Sequence, residues 1–234
     1  MTTHTLSLTN TQESSSPLSP PPLVARGAGI ESASFQHIDA HAGDRAGYDA
    51  AQWTLVRRLI HTSGDFAFNG LTCFHPEAIA AGVAALRGGC SLVVDVEMVR
   101  AGLTPRRLAP FGLHPQQFIA DAEVIAAAQK GGETRATEAM RKAWRLGLLT
   151  GGIVAIGNAP TALLEILRLV ADEGVRPALV VGMPVGFISA AESKAALAAV
   201  TQVPWITVTG TKGGSALAVA AIHALLDLAA KQSS

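Results

Sequence analysis

The chain has 234 residues, 49% hydrophobic, 15% charged and 5% aromatic, the profile of one large domain with an aliphatic core rather than of a disordered chain. Its 18 basic and 18 acidic side chains cancel, so no cationic surplus exists to neutralise a nucleic-acid backbone. Two cysteines, Cys73 and Cys90, without a CxxC pair argue against a disulfide framework or a structural zinc site and fit a reducing, cytoplasmic setting.

Residues 1–28 hold Pro17, Pro20, Pro21 and Pro22 among many Ser and Thr and no aromatic side chain, which predicts a flexible tail. They carry no signal-peptide pattern, and no later run is long and apolar enough to span a membrane. Residues 29–234 are expected to form a single α/β domain. Helices are predicted at about 50–62 and 76–87. Short β-branched apolar runs at 91–96, 152–156, 177–181 and 204–208 read as strands buried on both faces, with a weaker strand near 118–120. Ala- and Leu-rich stretches of helical period lie at 133–149, 161–173, 189–200 and 214–230. Such alternation predicts right-handed βαβ units and a parallel sheet of about five strands with helices on both faces.

In open parallel sheets ligands bind beyond the carboxyl ends of the strands, so the strand-to-helix loops are where chemistry is sought. Three are glycine-rich: Gly157-Asn158-Ala159-Pro160-Thr161, Gly182 to Phe187, and Gly210 to Ser215. Glycine lets backbone approach a ligand, and helix N-termini present N–H groups to anions, so three such loops on one edge suit a polyanion. Each loop alone also reads as a tight turn, and none matches GxxxxGK[ST] or GxGxxG. Ser189 and Glu192 have the spacing of a capping box. His61 closes the apolar stretch from Trp53 to Ile60 and precedes Thr62-Ser63-Gly64, a helix C-terminus. A helix end favours a protonated ring and Arg58, one turn earlier, opposes it, a balance suited to a proton donor; a packing or capping histidine is the alternative. His75 and His114, each before a proline, read as turn residues. Asp95 and Glu97, two apart at a strand end, would face one side as a metal pair, but no third ligand has matching spacing, and no metal is assigned.

Several motifs in one order carry a resemblance: Ser34-Phe35, Arg58-Leu59-Ile60-His61, Asp95 to Gly102, Thr134-Arg135, Ile156 to Ala162, Gly182 to Phe187, Ala191 to Lys194, and Lys212 to Ser215. With these the sequence resembles the precorrin-8X methylmutase (cobalt-precorrin-8 methylmutase) family of cobalamin biosynthesis. The resemblance implies a three-layer, flavodoxin-like sheet, a homodimer, no added cofactor, and an isomerase acting on a tetrapyrrole. It implies that His61 is the acid that protonates the macrocycle and that Ser34 and Arg58 contact substrate. It also places Thr134, Arg135, Asn158, Gly213, Gly214 and Ser215 in the binding site, with Arg135 as a carboxylate clamp. A tetrapyrrole-binding carrier without turnover is the alternative in another class.

Overall fold

A computed structural model describes residues 27–45 and 47–231. Residues 1–26 of the expected tail therefore lie outside the described residues, and Gly27 and Ala28 already belong to the first helix.

The chain begins with α1 (Gly27–His41), α2 (Ala50–Ser63), the short α3 (Phe68–Leu71) and strand β1 (Thr72–Phe74). Helix α4 (Ala78–Arg87) leads into β2 (Leu92–Val94), which is followed by α5 (Glu97–Gly102), α6 (Pro105–Leu108) and β3 (Pro115–Gln116). Helices α7 (Ala122–Gly131) and α8 (Arg135–Arg145) precede β4 (Ile153–Ile156), and the rest alternates: α9 (Pro160–Asp172), β5 (Leu179–Gly182), α10 (Ala190–Ala198), β6 (Trp205–Val208) and α11 (Ser215–Lys231).

The strands form one sheet in the order β1-β6-β5-β4-β2-β3. Strands β2 to β6 pair in parallel, and β1 pairs antiparallel with β6. The sheet is thus mixed and six-stranded rather than parallel with about five. The weaker strand also moves: β3 is Pro115–Gln116, while Phe118 to Asp121 make a turn closed by the Asp121 N–H on the Phe118 carbonyl at 3.1 Å. Phe118 and Ile119 are apolar because they pack on a buried cluster, not because they join the ladder.

The period of two along a strand explains the three layers. Leu92, Val94, Ile153, Ala155, Leu179 and Val181 face α2, α4 and α11, whereas Val93, Val154, Ile156 and Val180 face the side covered by α7 to α10. Both faces are covered, so these strands read as unbroken apolar runs.

The antiparallel strand sets the placement of α2. Thr72 opens β1 opposite Val208, the last residue of β6, and the Thr209 N–H continues the pair onto the Leu71 carbonyl at 2.8 Å. The segment arriving from α2 therefore reaches the sheet at its carboxyl edge. Helix α2 itself starts with a capping box in which the Asp49 carboxylate accepts from Ala51 and Gln52 N–H at 2.8 Å each. It stops at Gly64, whose left-handed φ of 67° suits glycine and whose N–H bonds the Ile60 carbonyl. The box expected at Ser189 and Glu192 is not formed: Ser189 has φ 58° and its side chain caps nothing.

Candidate active site

Three groups of residues converge on the carboxyl edge. The first is on α1 and α2. His61 lies exposed in the last turn of α2, with its ring edge-on to Phe35 of α1 at 5.2 Å between centroids. Phe35 also lies under the guanidinium groups of Arg57 and Arg58, at 4.5 and 5.4 Å. Ser34, half-buried, is its chain neighbour. The structure thus brings the Ser34-Phe35 pair of α1 to Arg58 and His61, which lie 24 and 27 positions after Ser34 in the sequence.

Arg58 is not an open cation. Its guanidinium donates to Glu31 at 3.2 Å and to Asp227 at 2.7 Å, and only 12% of the side chain is exposed. Asp227 also accepts from Arg107 at 2.6 Å. A ligand carboxylate reaching Arg58 must displace or share these partners.

His223 of α11 borders the same network, with its Nε2 buried and without a partner among the described residues. Burial, then repulsion from Arg107 and Arg58, pushes its imidazole down to about 4, against the opposing pull of Asp227 and Glu31. The unfolded ring takes a proton below about 6.5 while the folded one stays neutral. This contribution is therefore complete above pH 6.5 and is lost as pH falls toward 4, by at most about 3 kcal/mol and less for the ring's partial exposure. Thermal melts at pH 7 and 4.5 check it: wild type is expected to lose about 5 °C more than His223→Asn.

The second group surrounds β4. Asp95, fully buried just past β2, accepts from the N–H groups of Gly157, Asn158 and Ala159 at 3.0, 2.8 and 2.9 Å. Burial raises its carboxyl above the usual range, against the pull of these hydrogen bonds. The N–H groups that would cradle an anion after β4 are thereby occupied. What that loop offers is the exposed side chain of Asn158. Asp95 and Glu97 also do not form the pair considered above, since Glu97 is exposed and bonded twice to Arg100 at 2.6 Å. Thr134 is the N-cap of α8, accepting from the Thr137 N–H, and its hydroxyl meets Thr161 of α9 at 2.8 Å. Arg135 follows it, exposed and beside a hollow lined by Ile125, Ala128, Gln129 and Glu133. It makes no ion pair among the described residues, unlike Arg141 on the same helix, which is held by Glu138 and Glu165.

The third group is the loop between β6 and α11. Gly213 packs against the carbonyls of Met183 and Pro184 so closely that a Cβ would lie 2.3 Å from the Pro184 oxygen. Gly214, at φ 128°, donates to the Met183 carbonyl at 2.8 Å. The N–H groups of Gly213 and Ser215 donate to nothing among the described residues, as expected before and in the first turn of a helix. Lys212 ties this loop to the first group, its ammonium bonded to Asp65 just past the end of α2.

The sequence reading missed the clamping role of Asp95 and the Lys212–Asp65 tie. An aspartate directly after an apolar strand hints at the first; nothing local marks the second.

The arrangement is that of an α/β fold with a candidate site for an anionic molecule at the carboxyl edge of its sheet. Open helix N-termini and a free arginine can take carboxylates, and a solvent-facing histidine can pass a proton.

The sequence model of the precorrin-8X methylmutase family matches residues 29–228. The chain is 46% identical to the cobalt-precorrin-8 methylmutase of Leptospira interrogans, over 88% of this chain and 96% of that protein. It is 42% identical to the precorrin-8X methylmutase of Pseudomonas aeruginosa, over 86% and 96%. The crystal structure of the precorrin-8X methylmutase of Thermus thermophilus superposes with a TM-score of 0.83 at 46% identity, covering 88% of this chain and 98% of that one. The chain belongs to the precorrin-8X methylmutase family and is an isomerase.

Proposed function

We propose that the chain moves a methyl group from C-11 to C-12 of precorrin-8X or cobalt-precorrin-8, giving hydrogenobyrinic acid or cobyrinic acid. The observation that carries this reading is the family match over residues 29–228 in a chain whose His61 stands open beside Ser34 and Arg58. His61 gives a proton to the conjugated macrocycle, which lowers the barrier to the sigmatropic shift, and takes it back as the product re-forms. The peripheral acetate and propionate groups are held by Arg135, by Ser34 and Arg58, by Thr134 and the Asn158 amide, and by the Gly213-Gly214-Ser215 backbone.

The parallel strands run β3-β2-β4-β5-β6, which we read as the flavodoxin-like order with β1 added at one edge. We read the active form as a cytoplasmic homodimer. Supporting it is the apolar tip of the loop after β5, where Phe187 and Ile188 are 91% and 84% exposed.

Spectral conversion of the precursor by the purified chain tests the reading; tight binding without conversion would favour a carrier. Arg135→Ala is expected to raise KM about tenfold with kcat nearly unchanged, because a clamp far from the migrating methyl holds ground and transition states alike. Steady-state kinetics with either precursor checks it.

A further inference from the structure

Lys194 of α10 is the largest fully buried side chain of the described residues, 1% exposed. An ammonium in such a place is costly unless it is paired. No carboxylate among the described residues lies within ion-pair distance, and the acceptor of its ammonium is the main-chain carbonyl of Lys212. Burial lowers it to about 8.

That carbonyl belongs to the loop carrying Gly213 to Ser215. The same loop is joined to the one after β5 by the Gly186 N–H on the Thr211 carbonyl at 3.2 Å and the Gly214 N–H on the Met183 carbonyl at 2.8 Å. The ammonium of Lys212 bonds Asp65, beyond the end of α2. Lys212 is therefore gripped twice, by its carbonyl from the α10 side and by its ammonium from the His61 side. A lysine that only filled space would be replaced there by an apolar residue of similar volume at no loss.

We propose that Lys194 is a positioning residue which, by holding the Lys212 carbonyl, sets the glycine loop Gly213 to Ser215 against the end of α2 that bears His61, and so governs substrate binding without touching substrate. The kinetic part of this inference rests on the methylmutase reading above.

The test uses the full chain with Lys194→Met and Lys194→Arg. Lys194→Met is expected to melt within a few degrees of wild type, with amide hydrogen exchange over residues 210–216 at least about tenfold faster and the central strands unchanged. Its KM for the precursor should rise about tenfold or more, with kcat within about threefold. Lys194→Arg, which still donates to the carbonyl, should restore most of both. Unchanged exchange and KM in Lys194→Met would overturn the assignment. Loss of the fold in both variants would overturn it too, making Lys194 a support of the core. If wild type converts neither precursor, the methylmutase reading fails, while the exchange measurement still decides whether Lys194 holds the loop.

Discussion

In the His61→Ala variant turnover is expected to fall by about 10²- to 10⁴-fold, the share of a positioned general acid, with product affinity little changed. The geometry makes this a clean measurement. His61 is exposed, and its ring contact within the described residues is with Phe35, so truncation opens no cavity and breaks no buried bond. The helix end is kept by Gly64, not by the imidazole. A melting temperature within a few degrees of wild type should accompany the loss of rate. Wild-type turnover in this variant would remove His61 from the chemistry and leave a binding site without an assigned acid.

The second large effect concerns stability. Asp95→Ala strands three N–H groups, that of Gly157 buried and those of Asn158 and Ala159 partly so. Leaving one buried donor unsatisfied costs about 1–3 kcal/mol, so the variant should lose about 3 kcal/mol or more, read as a lower denaturant midpoint at unchanged slope. The loop cannot relax freely, because Gly157 lies against α11: a Cβ there would be 2.7 Å from the Ser215 Cα. Asp95→Asn should be only partly better, since its amide replaces one acceptor by a donor facing N–H groups. A change below about 1 kcal/mol would show that the carboxylate does not hold this loop.

What could be read from the sequence, and what could not, follows the range of the forces involved. Strands β2, β4, β5 and β6 were legible because burial on both faces leaves continuous β-branched runs such as Leu92-Val93-Val94. Strand β1 was not, since Thr72-Cys73-Phe74 is three residues long, at an edge, and only Thr72 is fully buried. Helix α1 was hidden because Ser32, Ser34, Gln36 and His37 break any apolar stripe. At the site, the motifs carried Ser34, Arg58 and His61 to one place. They did not tell that Arg58 is already paired, for its partners stand 27 residues before it and 169 after. The glycine loops were legible as loops, but that the N–H groups after β4 are taken is decided by Asp95, which is 62 to 64 positions from the groups it occupies.

The reversed strand at the edge of the sheet reaches further than its three residues suggest. An all-parallel sheet presents helix N-termini at its carboxyl rim, and their partial positive charge welcomes anions and discourages protonation of anything bound there. Because β1 runs the other way, it imports the C-terminal end of α2 to that rim, with the opposite partial charge and a histidine on it. One edge thus carries helix ends of both polarities. A chain beginning after β1 would lack the C-terminal end of α2 and His61, and with them Ser34, Arg58 and the buried apolar face that α2 adds to the core.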